Sequence, residues 1–190
     1  TDISVLDVTD SKPGRSGATG CGEVSVTTVA VMFKKIKFYT HENVGSGRIN
    51  LPELEMHTVS FWQEFDLDSI VAAGIGESQV GGGLQALANL LANVAPVYIL
   101  SDFFDLRAVP MVRSPFSGKP TVYLYDNYPG GVGYSERIYR IYPDLLRAAR
   151  ELLRACPCTS GCPSCTGPMV EVDVDGKEVA DRLIALGLEG

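Results

Sequence analysis

The sequence predicts an α+β domain, a mostly antiparallel sheet packed with helices and followed by a C-terminal four-cysteine loop. Three observations carry that expectation. β-Branched and aromatic residues recur in short runs over the first part of the chain, residues 84–95 are apolar on nearly every side, and four of the five cysteines fall within residues 156–165. With 190 residues, 45% hydrophobic and 21% charged, the chain has an ordinary globular composition and is long enough to bury a core. We read residues 1–190 as a single domain, sheet-rich with a buried helix over 1–133 and helical over 134–190 around the loop 156–165.

Residues 1–10 alternate weakly through Ile3, Val5, Leu6 and Val8 and read as a strand, and the Gly- and Ser-rich residues 11–22 as a loop. From 23 to 39 the composition favours one long strand or a bent hairpin arm. Lys35 and Lys37 share one face of it by the period of two, and Lys34 points the other way. A lysine-protected strand edge and a phosphate contact are both open readings there. Residues 55–62 form another strand, carrying His57 and the single tryptophan, Trp62. A hydrogen-bonded strand histidine and a packed tryptophan are the simpler readings; a metal ligand and a base-stacking ring are the sharper ones.

A short helix is expected over 67–74, opened by Asp66 or Asp68. The triplet Gly81, Gly82, Gly83 then punctuates the chain, and residues 84–95 form a helix buried within the domain until Pro96 ends or kinks it. Residues 97–100 continue as a strand or extended exit, and Asp102 and Asp105 serve turns and caps. Residues 121–125 are a strand that runs through a glycine-rich turn at 130–133 into a helix starting near Tyr134 or Ser135. Backbone N–H groups at such a helix start attract anions, although the glycine spacing fits neither common phosphate motif, so tight turn and anion site both stand. Pro143 suits the first position of a second helix. There Leu145, Ala149, Leu152 and Leu153 make an apolar face opposite Arg147, Arg150 and Arg154. Residues 170–174 alternate as a strand, and 177–186 read as a closing amphipathic helix.

Cys156, Cys158, Cys162 and Cys165 stand in C-x-C-x3-C-x2-C spacing, bracketed by Gly and Pro. A loop of this kind can bring four sulfurs to one point, the donor set of a closed, structural zinc site. Its binding free energy would then be folding free energy for a stretch with almost no apolar side chains. An iron–sulfur cluster is the minor alternative, because its usual runs separate ligands by at least two residues. Two disulfides find little support in a chain lacking secreted, cysteine-dense character, and a redox pair at Cys162 and Cys165 would need a neighbouring thioredoxin-like βαβ unit that the sequence does not offer. Cys21 stands apart.

A net charge of −7 argues against strong nucleic-acid binding by the chain acting alone, since phosphate neutralisation dominates that affinity. No run of eighteen apolar residues spans a membrane, and the chain opens on Thr1 without a basic-then-apolar leader, as an excised piece of a cytoplasmic protein would. Gly118-Lys119 lacks the upstream glycine of a phosphate loop and is followed by Pro120, so ATP hydrolysis is not assigned to these residues.

The run from Tyr125 to Gly133, the arginine-bearing helix and the Cys-Pro-Cys-x3-Cys-Pro-Ser-Cys loop together resemble the C-terminal zinc-binding domain of the mitomycin-repair DEAD/DEAH-box helicases, which have RecQ-like eukaryotic relatives. Lys34, Lys35, Ile36 and Lys37, residues 40–45, Leu51-Pro52 and residues 55–58 resemble the same family. The resemblance implies a noncatalytic accessory domain, with zinc held by Cys156, Cys158, Cys162 and Cys165. It also implies a parent 3′–5′ DNA-repair helicase whose motor and winged-helix domains are the partners. Single-stranded DNA would be enclosed in that context, with Lys35, Lys37, Arg147, Arg150 and Arg154 as candidate contacts. A cytoplasmic, nucleoid-associated location follows, as does a second possibility, a zinc-stabilised scaffold subunit with no motor in its own polypeptide, as in an antiphage defence assembly.

Overall fold

Residues 1–40, 42–168, 172 and 175–189 are described by the computed structural model of the chain. Alternating burial along long β-rich runs is what builds its sheet. β1 (Asp2–Gly14), β2 (Gly17–Thr28), β5 (Leu54–Phe65), β7 (Thr121–Asp126) and β6 (Leu106–Met111) pair in the order β1-β2-β5-β7-β6, every neighbour antiparallel. β3 (Met32–Ile36) and β4 (Asn43–Arg48) form a separate two-stranded hairpin. Among the described residues four helices join these strands: α1 (Leu67–Ala72), α2 (Glu77–Ile99), α3 (Tyr134–Ala155) and α4 (Gly176–Leu188). The α+β expectation therefore holds, with the cysteine loop between α3 and α4.

Period two assigns the two sheet faces to different partners. Phe61, Phe65, Val122 and Leu124 face α2, α3 and α4 and share one core with Leu84, Leu87, Leu91, Ile138, Leu145 and Leu183. On the opposite face Ile3, Val24, Val26, Trp62, Tyr123 and Tyr125 form a second, smaller cluster. The β6–β7 connection covers part of it, with Ser114 bonded to the Tyr123 hydroxyl at 2.7 Å and Phe116 edge-on to Trp62 at 5.8 Å. Trp62 is thus a packed core residue, 2% exposed, and presents no free ring for stacking.

Several elements differ from the sequence reading, each for a tertiary reason. The expected loop over 11–22 is paired strand, because β1 and β2 continue to a two-residue connection at Arg15-Ser16. The stretch 23–39 breaks after Thr28, and its second half joins the separate hairpin. The glycine triplet lies inside α2 rather than before it. A side chain at Gly83 would come within 2.1 Å of Val179, so glycine there lets α4 approach α2 closely. Pro96 falls in the last turn of α2, which continues to Ile99 where an extended exit was expected. Pro143 lies within α3, a single helix from Tyr134 to Ala155, held on both sides of the proline by buried Ile138, Tyr142, Leu145 and Leu146. Leu152 of the expected apolar face is exposed, and Leu146 takes its place. β6 had no counterpart in the sequence reading; its Pro110 is tolerable because β6 is an edge strand. The strand expected over 170–174 lies outside the described residues except for Val172, a buried bend.

α2 is long and apolar enough to cross a bilayer, yet its apolar window is 67% buried in this structure. Packed against β6, β7, α3 and α4, it is the central core helix.

Candidate metal centre

The last turn of α3 delivers Cys156 in extended conformation (φ −69°, ψ 126°), which ends the helix and starts the sulfur loop. The loop then closes on a single acceptor. The Cys162 carbonyl receives N–H bonds from Cys165, Thr166 and Gly167 at 3.0, 3.1 and 3.2 Å, and this knuckle turns Cys162 and Cys165 toward one point. Gly167 has φ +95°, and a side chain there would meet the Asn89 amide at 2.1 Å. Asn89 itself donates to the Thr166 carbonyl at 3.0 Å and accepts from Gln85, so α2 anchors the loop through its polar positions.

The four sulfurs lie within 4.8 Å of one another. Cys156 and Cys162 are 3.6 Å apart, Cys158 and Cys165 3.5 Å, and Cys162 and Cys165 3.6 Å. A tetrahedral zinc with bonds of about 2.3 Å places its sulfurs about 3.8 Å apart, so the spacing suits one ion. All four are free thiols, which removes the paired-disulfide reading, since a bonded pair would be about 2.05 Å apart. The amide of Ser164 donating to Cys162, helped by the neighbouring thiols, holds that group down to about 7, whereas burial pushes Cys165 up to about 11. Cys162 is therefore readily a thiolate near neutral pH, and a cation must displace the proton of Cys165 to bind there.

Lys177, in the first turn of α4, enters the sequence reading only as the start of the closing helix, with no role at the cysteine loop. Its ammonium lies 2.7 Å from each of the Cys156 and Cys158 carbonyls and 3.6 Å from the Cys158 sulfur. A lysine beside a positive helix start is electrostatically out of place, and that mismatch is the signal in the sequence that points to it.

Of the expected nucleic-acid contacts, Lys35 and Lys37 lie on the exposed β3–β4 hairpin, where Lys37 pairs with Glu42 at 3.0 Å. The hairpin tip carries Phe38 and Tyr39, 87% and 91% exposed. The arginines lie elsewhere. Arg150 and Arg154 both pair with Asp181 of α4, at 2.8 and 3.2 Å, and Arg147 pairs with Asp144 of its own helix. The lysines belong to the hairpin and the arginines to α3.

The glycine-rich turn before α3 does hold an anion, and that anion is the chain's own. Asp126, 0% exposed, accepts N–H bonds from Val132, Gly133, Tyr134 and Ser135 at 2.7 to 3.2 Å and the Ser135 hydroxyl at 2.6 Å. An internal carboxylate thus takes the position open to a phosphate. Asp105 accepts from the Tyr128 hydroxyl and the Asp102 amide, and both hydrogen bonds hold its carboxyl below the ordinary range. His57 is an exposed strand residue beside Glu55 at 3.4 Å. Each of these side chains holds a turn or a strand surface, and they do not gather in one pocket.

Residues 87–166 match the family described as the MrfA Zn-binding domain. The chain is 36% identical over 184 residues to the ATP-dependent helicase YprA of Bacillus subtilis (strain 168), covering 97% of this chain and 24% of that protein. It is 27% identical over 85 residues to MJ1572.1 of Methanocaldococcus jannaschii, 43% of this chain and 76% of that protein. Among solved structures, DUF1998 helicase MrfA bound to DNA superposes with a TM-score of 0.77 at 37% identity, over 98% of this chain and 24% of that one. A further crystal structure of DUF1998 helicase MrfA gives 0.66 at 31%, over 96% and 23%. The chain thus spans about a quarter of the length of the helicases it matches.

Proposed function

We propose, from the premise that residues 87–166 are a MrfA Zn-binding domain in a chain homologous to DUF1998 helicases, that this chain is the noncatalytic zinc-binding accessory domain of an ATP-dependent 3′–5′ DNA-repair helicase. The observation that carries the reading is the sulfur cluster, three of whose gaps are 3.5–3.6 Å. That spacing supports one zinc on Cys156, Cys158, Cys162 and Cys165 rather than an iron–sulfur cluster, whose thiolates sit on separate irons and spread further apart. Bound zinc supplies structure and no chemistry, because four protein ligands leave no position for water.

The domain works beside a motor and a winged helix, in the cytoplasm at the nucleoid, and helps enclose single-stranded DNA. The β3–β4 hairpin is the better candidate for that contact, since Lys35 stands with exposed Phe38 and Tyr39 there and Lys37 beside them is held by a surface pair with Glu42, while Arg150 and Arg154 share the partly buried Asp181. Aromatic rings and cations side by side suit stacked bases and phosphates. Arg147, tied to Asp144 on an exposed surface, is a weaker candidate.

The test begins with elemental analysis of the purified chain. One zinc per chain, no ATP hydrolysis, and weak, salt-sensitive DNA binding are expected. Iron with acid-labile sulfide, or tight DNA binding that persists in high salt, overturns the reading. A second reading, a zinc-stabilised scaffold subunit without a motor, is favoured by the archaeal relative, because the 85 matched residues make up 76% of that protein and leave no room for motor domains. Motor motifs in the same polypeptide as this chain decide for the first reading, their absence for the second.

A further inference from the structure

We propose that Lys177 is a positioning residue for the metal centre, its charge and its N–H donors setting how long the sulfur loop keeps its ion. The inference rests on the zinc reading above. An ammonium has three N–H donors and no acceptor, and here the loop offers three acceptors, the carbonyls of Cys156 and Cys158 at 2.7 Å and the Cys158 sulfur at 3.6 Å. The backbone of the same residue also donates to the Ser160 carbonyl at 3.2 Å. One residue of α4 thus ties together two of the four sulfur-bearing positions and the turn that follows them.

The charge balance gives the reason. Four thiolates around a divalent cation carry two net negative charges in a partly buried site, within a chain already at −7. Lys177 offsets one of them. By donating to the Cys156 and Cys158 carbonyls and to the Cys158 sulfur it fixes the loop backbone and orients that ligand, so that the sulfurs stay gathered around the ion. The same arrangement explains a cation at the positive end of a helix: the sulfur loop lies closer to the ammonium than any dipole penalty can outweigh.

α4 is held to the rest of the site on the same face. Asp181, four residues after Lys177, receives Arg150 and Arg154 from the helix that ends at Cys156. The loop is therefore clamped from α4 at Lys177 and from α2 at Asn89.

Zinc release from the full chain to a competing chelator, together with the absorption spectrum of the cobalt(II)-substituted protein, tests the proposal. K177M is expected to release zinc about 10–100-fold faster, the usual effect of removing a partner of a ligand. Its thiolate-to-cobalt charge-transfer band moves to longer wavelength, since the Cys158 sulfur becomes more electron-rich. K177R keeps a charge and a donor and falls near wild type. A K177M protein with the wild-type release rate and band position overturns the proposal, as does equal behaviour of K177M and K177R. Should K177M not fold with metal, K177Q takes its place: it retains an N–H donor without the charge, and a match to K177R is then the overturning result. Absence of zinc from the wild-type chain sinks the metal reading instead, and is distinguishable by elemental analysis before any variant is made.

Discussion

In the body of the molecule, Leu84, Leu87, Leu90 and Leu91 of α2 are fully buried in one cluster with Phe61, Val122 and Leu124 of the sheet. Between Cys156 and Gly167, by contrast, only Cys165, Thr166 and Gly167 are buried. The body keeps its shape by removing apolar surface from water, at roughly 25 cal/mol per Å². The loop has no such resource, and its order comes from one shared carbonyl, the Asn89 and Lys177 clamps and the ion its sulfurs suit. The comparison leads to the expectation that two neighbouring segments of one chain fail independently: one by cavities, the other by loss of metal or of a charge.

The largest expected effect separates the two regions most sharply. Replacing Cys158 or Cys165 by Ser, or removing metal with a chelator, unfolds residues 156–167 locally, because structural zinc contributes about 10–16 kcal/mol of apparent binding energy in small zinc domains. Hydrogen exchange rises there and at the start of α4 while α2 and β5 stay protected; uniform exchange across both regions would break the comparison. Leu87→Ala acts from the other side, costing about 2–5 kcal/mol through transfer and cavity terms. Thermal melting falls for the whole domain, with the zinc content of the folded protein unchanged.

Asp126→Ala leaves four amides and the Ser135 hydroxyl without their carboxylate in a fully buried position. A loss of about 3–5 kcal/mol is expected, read by denaturant unfolding, as for a buried charge network deprived of one member. Asp181→Asn is smaller, about 1 kcal/mol at neutral pH, because the pair it breaks is partly exposed. Hydrogen bonds from Arg150 and then Arg154 outweigh burial and hold the Asp181 carboxyl below its ordinary 3.8. A carboxyl lowered on folding stabilises above its unfolded pKa and ceases to do so as pH falls through the lower folded value. The gap between wild type and Asp181→Asn therefore closes below about pH 4, measured by urea unfolding across pH. A constant gap would mean that charge is not what joins α3 to α4.

The elements legible in the sequence were those whose own composition settles them. The buried stretch at 84–95, the strands at 55–62 and 121–125, the amphipathic helix at 177–186 and the four-sulfur spacing all read correctly. The turn-side halves of β1 and β2, within residues 11–22, were missed, because Gly and Ser inside a paired strand look like a loop until the partner strand is known. Asp126 was visible only as a residue before a glycine-rich turn. Its role depends on the turn folding back so that four amides meet one carboxylate.

The arginine stripe on α3 makes the same point. Spacing placed Arg150 and Arg154 on one helix face, and tertiary structure set Asp181 opposite them. By itself, the sequence determined the α+β class, the core helix and a quartet of sulfurs able to meet at one centre, since period, composition and ligand spacing are local properties of the chain. Only the tertiary structure decided which charges are paired, that the anion at the start of α3 is internal, and that Lys177 lies against the cysteine loop. Those facts belong to contacts between residues far apart in sequence, and no local pattern encodes them.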